Sequence, residues 1–195
     1  FPFVSTTILV LIFSFCFLLP SFYAGSAYDL NPTAILLPPS LEHFLGTDRL
    51  GRDLFARLMV GGQVSLMIGI LSALISSLVG LMIGISAGFF QKSVDKLIIV
   101  VIDLFLTFPT FFLLLALISY MSASVWVLIF IISITGWMGM ARMIRSESFA
   151  ISNTPFIKIL KLSNVSTFKI IFKYFAPLLA PIFFISFTFG VSGAI

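Results

Sequence analysis

Five long apolar runs dominate this sequence, and each approaches the length that a helix needs to cross a membrane. The runs lie at about 4–19, 64–90, 97–120, 125–141 and 175–195. A spanning helix needs about 20 mostly apolar residues, because its backbone polar groups must be hydrogen-bonded within the helix. The composition agrees, since 60% of the residues are hydrophobic and only 9% are charged. The sequence therefore predicts an all-α integral membrane protein, and it excludes a water-soluble globule.

The two ends of the chain shape the predicted organisation. The first run is short and similar to a signal-peptide core, but no clear cleavage site follows it, so we predict a retained anchor. The chain begins with Phe1 and stops at Ile195 within an apolar run, so we expect a fragment with about five spans and the last one missing. Two regions are predicted. Residues 1–63 form an anchor with an external loop, and residues 64–195 form a helical core.

A basic segment predicts how the chain lies across the membrane. Residues 142–173 carry six of the eleven Lys and Arg residues and only one acid. Short basic loops stay on the cytoplasmic side of the membrane. Alternation then puts residues 20–63 and the turn at 121–124 outside, and the turn at 91–96 inside. The net charge of +4 is therefore a topology signal, and the expected partner is the lipid bilayer rather than a nucleic acid.

The basic segment also has helix start and stop signals of its own. Thr154 and Pro155 predict an N-cap and a first helical position. The helix should run to about Leu162, where the sequence Ser-Asn-Val-Ser at 163–166 breaks it. Asn164 is the best candidate for a left-handed residue, and a second short helix should reach Tyr174.

Small residues on one face of the second run predict close helix packing. Gly80, Gly84 and Gly88 recur every four residues. Such spacing lets another backbone approach, which is how helices associate in lipid. We favour packing within the chain over dimerisation.

A dense polar motif precedes the second run and carries a family resemblance. Local chemistry predicts turns at Gly46 and Gly51 and mutual neutralisation of Asp48, Arg49, Arg52 and Asp53. The string HFLGTDRLGRDLFARLMVGGQVSLMIG closely resembles the H-x-L-G-T-D-x-x-G-R-D segment of permease subunits of dipeptide, oligopeptide and nickel ABC importers. The resemblance covers residues 43–195. By it, the external family motif comprises Gly46, Thr47, Asp48, Gly51, Arg52 and Asp53.

The resemblance implies a type I ABC importer permease bundle that forms a translocation path for peptides or nickel. The implied partners are a second homologous permease subunit, two cytoplasmic ATPases and an extracytoplasmic solute-binding protein. A degenerate scaffold that does not transport remains the alternative. A secondary transporter is disfavoured, because no inverted repeat is evident.

The resemblance also implies that the basic segment, at about 142–174, couples the permease to the ATPases. In register with the family's E-A-A-x-x-x-G pattern, Lys158 replaces Glu, Ile159 and Leu160 replace the two Ala, and Asn164 replaces Gly. The reversed charge and added bulk require a compensated partner. The coupling residues implied are Pro155, Phe156, Lys158, Ile159, Leu160, Lys161, Leu162 and Asn164.

Two residues in the third run invite a functional interpretation. An ionisable group at membrane depth indicates an internal partner or a transport path. Asp103 lies about two helical turns, or ~10 Å, from Lys96. We therefore favour a structural role for Asp103 and keep the transport path as the alternative. Pro109 should kink the helix.

Enzyme chemistry finds little support in the sequence. No G-x-x-x-x-G-K-[ST] phosphate loop occurs, so ATP hydrolysis is expected in a separate subunit. Cys16 is the single cysteine, and His43 is better explained as a loop hydrogen-bonding residue than as a metal ligand. We expect no catalytic residue, cofactor or metal in this chain.

Overall fold

The computed structural model describes residues 2–107, 109–120 and 124–195, and helices supply nearly all of the regular structure there. The predicted turn at 121–124 lies largely outside these residues. The α-helices are α1 (Pro2–Phe13), α2 (Leu54–Phe90), α3 (Lys92–Thr107), α4 (Thr110–Tyr120), α5 (Val125–Ser152), α6 (Pro155–Leu162), α7 (Thr167–Ile170) and α8 (Ala176–Ala194). Short π-helical stretches extend α1 over Ser14–Leu18 and join α7 to α8 over Ile171–Phe175.

Among the described residues, four helical stretches are long and apolar enough to cross a membrane. They are Phe3–Ser21, Leu54–Phe90, Val125–Ser152 and Thr167–Ala194. The third predicted span, by contrast, is divided into α3 and α4, and Pro109 lies outside both helices. Proline lacks an N–H donor and its ring clashes with the preceding turn, so the helix does not continue through it. Of the roughly five predicted spans, the third is therefore interrupted at Pro109, where the sequence predicted a kink.

Two spans are longer than their apolar runs predicted. α2 begins at Leu54 rather than near Val64, and its 37 residues correspond to about 55 Å. A hydrocarbon core is about 30 Å thick, so one end of α2 must project beyond it. α5 likewise continues past Ala141 to Ser152. Charged residues in these extensions end the apolar runs in the sequence, but the helices continue through them.

The chain divides into two compact units, residues 1–67 and 68–195. In the first unit, Ala27, Ala56 and Met59 are buried beneath aromatic side chains from the end of the first span and the start of α2. The ring of Phe55 packs edge-on against Phe15 at 5.5 Å between centroids. This apolar cluster holds the N-terminal loop (residues 22–53) against the helices of its own unit.

In the second unit, α2 packs against α5 through the predicted glycine face. A Cβ at Gly80 would lie 2.7 Å from Cβ of Met140, and one at Gly84 would lie 2.7 Å from Cβ of Ile144. Both positions advance by four residues, so the two helices run parallel at this contact. The packing within the chain that the sequence favoured is present in this unit.

Candidate functional site

The α6–α7 segment (residues 153–175) begins with the predicted helix start. Thr154 is extended at ψ 146°, and Pro155 takes the first helical position of α6. The Thr154 side chain does not cap α6, because its Oγ1 donates to the Ile151 carbonyl at 2.7 Å. The backbone N–H of Lys158 donates to the Thr154 carbonyl at 3.1 Å and closes the first turn. Proline and the extended residue before it therefore suffice to start the helix.

The end of α6 confirms the predicted left-handed residue. Asn164 has φ +53°. The N–H of Ser163 donates to the Ile159 carbonyl at 2.9 Å, and the N–H of Val165 donates to the Leu160 carbonyl at 3.2 Å. The bond from Val165 to Leu160 is the longer bond of the Schellman arrangement, in which a left-handed residue turns the chain back over the helix end. Asparagine therefore supports the turn for which the family uses glycine.

Apolar side chains fasten one face of the segment to the second unit. Ile157, Ile170 and Phe175 are fully buried. They join a cluster that includes Ile85 and Phe89 of α2; its other buried members are Met140, Ile144 and Leu179. The second predicted short helix is corrected, because α7 continues through a π-helical stretch into α8. Any displacement of the segment therefore acts on α2, α5 and α8 together.

The opposite face of the segment exposes large apolar side chains. Leu162 is 84% exposed and Phe168 is 72% exposed. Phe156 and Ile159 are also exposed, and Phe168 packs on Phe172 with 4.5 Å between ring centroids. Lys158 lies on this exposed side of α6. Phe156, Ile159 and Leu162 lie outside the membrane-length stretches, and exposed apolar groups at such positions are typical of a protein contact surface.

Lys161 is oriented differently from the other predicted coupling residues. Its ammonium donates to the Phe89 carbonyl at 3.1 Å and to Ser152 Oγ at 2.8 Å. The same nitrogen lies 4.0 Å from the centroid of the Phe89 ring. Partial desolvation of the ammonium lowers the pKa of Lys161 from its ordinary value, although the residue as a whole stays exposed. The charge is therefore directed towards the protein.

Two ion pairs join α3 to α5. Asp103 pairs with Arg142. Near the start of α3, Asp95 accepts two hydrogen bonds from Arg145, one of them from Nη2 to Oδ2 at 2.8 Å. A carboxylate that accepts hydrogen bonds from two guanidinium nitrogens is fixed in orientation as well as neutralised in charge. Asp103 thus has an internal partner, and any part in a transport path stays a proposal.

Sequence reasoning missed the Asp95–Arg145 pair. Asp95 lay in the predicted turn, and Arg145 was counted only as part of a basic loop. Their separation of 50 residues leaves no local spacing signal. The i, i+3 repeat of Arg142 and Arg145 on one helix face was the available clue.

The N-terminal loop contains the predicted turns. Gly46 has φ +75° and Gly51 has φ +74°, which only glycine adopts readily. Thr47 is buried, and its hydroxyl accepts the N–H of Leu37 at 2.8 Å and donates to the Ala34 carbonyl. The motif therefore folds one part of the loop onto another.

Asp53 organises the end of this loop. Its Oδ2 lies 2.7 Å from Nδ1 of His43 and accepts from the Tyr23 hydroxyl at 2.8 Å. Its Oδ1 accepts the N–H of Ala56 at 2.8 Å, which caps α2. Burial acts to raise the pKa of Asp53, but these hydrogen bonds outweigh it, so the pKa lies below its ordinary value.

The predicted four-residue charge cluster is only partly present. Asp48 accepts from Nε of Arg52 at 2.9 Å and lies 3.8 Å from Nη1 of Arg57. Asp53, however, pairs with His43 and Tyr23 rather than with an arginine. The prediction of mutual neutralisation is corrected in this respect, because Asp53 serves as the helix cap and is turned inward. His43 is a loop hydrogen-bonding residue, as predicted.

In the described residues, no group of three or more His, Cys, Asp or Glu side chains is placed to hold a metal ion. The fold and these contacts define a class: a multi-pass helical membrane protein in which a structured basic segment follows α5 and leads into α8.

Comparison with known proteins places the chain within that class. The family of binding-protein-dependent transport system inner membrane components matches residues 80–195. The chain therefore belongs to this family, and the resemblance inferred from its motifs is confirmed. With four membrane-length apolar helices in the described part of the chain, it is a multi-pass inner-membrane protein.

Several curated relatives are permease proteins. The chain is 32% identical over 141 residues to the dipeptide transport system permease protein DppC of Bacillus subtilis, which covers 72% of this chain and 44% of that protein. It is 33% identical over 194 residues to the oligopeptide transport system permease protein OppC of Mycobacterium bovis, covering 98% of this chain and 66% of that protein. The chain thus spans between 44% and 66% of the length of these two relatives.

Proposed function

We propose that this chain is a permease subunit of an ATP-driven importer and that the α6–α7 segment docks onto a cytoplasmic ATPase. The observation that carries the proposal is the division of the segment into two faces. Ile157, Ile170 and Phe175 are buried against the spans, whereas Phe156, Ile159 and Leu162 remain exposed. Such a segment can contact a partner on one side and move helices on the other.

The transport cycle follows from this arrangement. ATP hydrolysis belongs to the separate ATPase subunits, and their closure displaces the exposed face of α6. The buried face passes that displacement to α2, α5 and α8, because close-packed side chains transmit strain. Two such permease subunits rock around a central path, and a solute-binding protein delivers the substrate from outside.

Peptides are the proposed substrates. The relatives DppC and OppC carry dipeptide and oligopeptide transport in their names. The family resemblance also includes nickel permeases, so Ni²⁺ is the alternative substrate. Since a type I importer receives its solute from a binding protein, the substrate must be tested in the complete assembly.

The test uses the full-length transporter, reconstituted into lipid vesicles with its ATPases and its binding protein. We expect ATP-dependent uptake of labelled short peptides and no ATP-dependent uptake of ⁶³Ni²⁺. Uptake of nickel alone would overturn the substrate assignment. Absence of uptake of any solute, with the subunits still co-purifying, would favour the degenerate scaffold.

Docking is tested on the exposed face of α6. Leu162→Glu places a charge at the apolar contact surface, so we expect weaker co-purification of the ATPases and loss of substrate-stimulated hydrolysis. Leu41→Glu is the matched control, because Leu41 is 92% exposed in the N-terminal loop. Equal ATPase binding in the two variants would contradict docking through α6.

A further inference from the structure

Three helix ends meet at one ammonium group. Phe89 lies in the last turn of α2, Ser152 is the last residue of α5, and Lys161 lies in the last turn of α6. The Lys161 nitrogen is 3.1 Å from the Phe89 carbonyl oxygen and 2.8 Å from Ser152 Oγ. One side chain therefore bridges two membrane-length helices and the short helix outside them.

The chemistry of these groups suits a fixed attachment. The last carbonyls of a helix lack partners within the helix and carry negative partial charge. The Phe89 carbonyl is one of these, and a cation is the stabilising partner for it. An ammonium has three donors, so it can serve this carbonyl and the Ser152 hydroxyl together. The Phe89 ring, 4.0 Å away, adds a cation–π contact from the same residue.

Lys161 differs in this respect from the other lysines of the segment. For Lys158 and Lys169, the described residues provide no hydrogen bond or ion pair to the ammonium group. The Lys173 ammonium lies over the Tyr174 ring at 5.8 Å, within its own segment. Only the Lys161 ammonium, among these four described lysines, reaches α2 and α5.

Hydrogen bonds and apolar packing have different mechanical consequences here. The apolar contacts of Ile157 and Ile170 transmit part of any displacement of the segment, but they are non-directional, so they constrain the orientation of α6 less than hydrogen bonds do. The two bonds of Lys161 are directional and require a particular orientation of α6 relative to both helix ends. Loss of these bonds would leave the segment attached but free to tilt.

We propose that Lys161 is a positioning residue that links α6 to the ends of α2 and α5, so that displacement of α6 moves both spans. It does not serve as a contact for the ATPase. This inference rests on the proposed coupling function of the segment. Its consequence is specific: without the bridge, the ATPase still docks and hydrolyses ATP, but less of that hydrolysis drives uptake.

The test compares Lys161→Met with Lys161→Arg in the complete reconstituted transporter. Met has a side chain of similar length without charge or donors, and Arg retains both. For Lys161→Met we expect unchanged co-purification of the ATPases and a fall of about tenfold in solute transported per ATP hydrolysed. Lys161→Arg should restore part of that ratio. Lys96→Met is the control, because it removes an exposed lysine charge from α3.

Ser152→Ala tests the second end of the bridge. It removes one acceptor and should lower the same ratio by about twofold to fivefold. In the double variant with Lys161→Met, the loss should not exceed that of Lys161→Met alone, because the two side chains act through one bond. Independent, multiplicative losses would overturn the bridge. Where Lys161→Met fails to assemble, an unaltered ratio in Ser152→Ala would overturn it equally.

The controls separate this inference from the proposed function. A wild-type assembly that shows no substrate-stimulated uptake refutes the proposed function itself. A wild-type assembly that couples normally, together with a Lys161→Met variant that couples equally well, refutes only the role of Lys161. Reduced ATPase co-purification in Lys161→Met would instead assign Lys161 to the docking surface.

Discussion

The N-terminal loop and the α6–α7 segment are built in opposite ways. The loop is held by polar groups within itself. The Thr47 hydroxyl hydrogen-bonds to an earlier part of the loop, and the Asp53 carboxylate binds His43, Tyr23 and the first turn of α2. The α6–α7 segment is held mainly by apolar side chains packed on the helices of its unit, with Lys161 as the polar exception.

This difference predicts whether each segment moves when neighbouring helices or subunits move. Directional hydrogen bonds inside a loop favour a single conformation that is independent of neighbouring subunits. A segment fastened by apolar packing to several helices moves when those helices move. We therefore expect the loop to keep its shape through the transport cycle and the α6–α7 segment to change its position.

The largest expected effect concerns the side of the membrane on which each segment lies. In a Cys16→Ser background, Ser40→Cys in the loop should react with an impermeant thiol reagent added to intact cells. Ser163→Cys, at the exposed end of α6, should react only after the membrane is opened, because the basic segment is predicted to be cytoplasmic. Labelling of Ser163→Cys in intact cells would contradict the docking proposal.

The turn after α6 provides the next test. Asn164→Pro cannot adopt φ +53°, so we expect displacement of α7 and a fall of at least about tenfold in substrate-stimulated ATP hydrolysis. Basal hydrolysis should persist. Asn164→Gly is the control, because glycine adopts this conformation freely and should retain stimulation. Equal loss in both variants would show that the side chain, rather than the backbone turn, is required.

A moderate effect is expected at Asp53. Asp53→Ala leaves the Tyr23 hydroxyl and the Ala56 N–H without their acceptor, which costs about 2 kcal/mol and lowers Tm by ~4–8 °C. Asp29→Asn, on an exposed residue of the same loop, should leave Tm nearly unchanged. Thermal unfolding of the detergent-purified protein measures both. If Asp53→Ala abolished substrate-stimulated ATP hydrolysis while leaving Tm unchanged, the contrast between the two segments would be wrong.

Asp53 also predicts a pH dependence. The pKa of its carboxyl is lowered in the folded protein, so its stabilising contribution is complete above the ordinary value of 3.8 and is lost as pH falls through the lower, folded value. The difference in Tm between the wild type and Asp53→Asn should therefore shrink on acidification below about pH 4. A difference that grows on acidification would have the wrong sign.

The smallest expected effect concerns Lys158. Lys158→Glu restores the charge of the family pattern on an exposed side chain, and an exposed ion pair contributes only about 0–1 kcal/mol. With an ATPase whose contact surface is acidic, we expect coupling to weaken by about twofold to fivefold. Improved coupling would show that the natural partner is not compensated, which would favour the degenerate scaffold.

Local signals predicted the α6–α7 segment well. Pro155 specifies a first helical position through its own ring, and Asn164 is one of the few residues that adopt a left-handed backbone readily. Both effects act within a few residues, so the boundaries Pro155–Leu162 and the turn at Asn164 agree with the structure. The start of α2 was missed although Asp53 is a suitable cap, because Arg57 and the preceding charges suggested a loop.

The contacts of the charged residues could not be predicted in the same way. The resemblance implied that Lys161 is a coupling residue, but it gave no sign that the ammonium bonds to Phe89 and Ser152. Arg145 pairs with Asp95 across 50 residues. The sequence shows that these charges exist, but which partner each one meets depends on where distant helices end.

The sequence by itself determined the membrane class, the family and the local helix signals of the α6–α7 segment. Hydropathy, turn chemistry and a contiguous motif are all properties of neighbouring residues, so they are readable without a fold. Only the tertiary structure decided that α5 is the helix packed on the glycine face of α2, and that Lys161 joins the ends of both helices to α6. Long-range contacts of this kind arise from packing, because a charged side chain bonds to whichever groups the assembled helices bring within its reach.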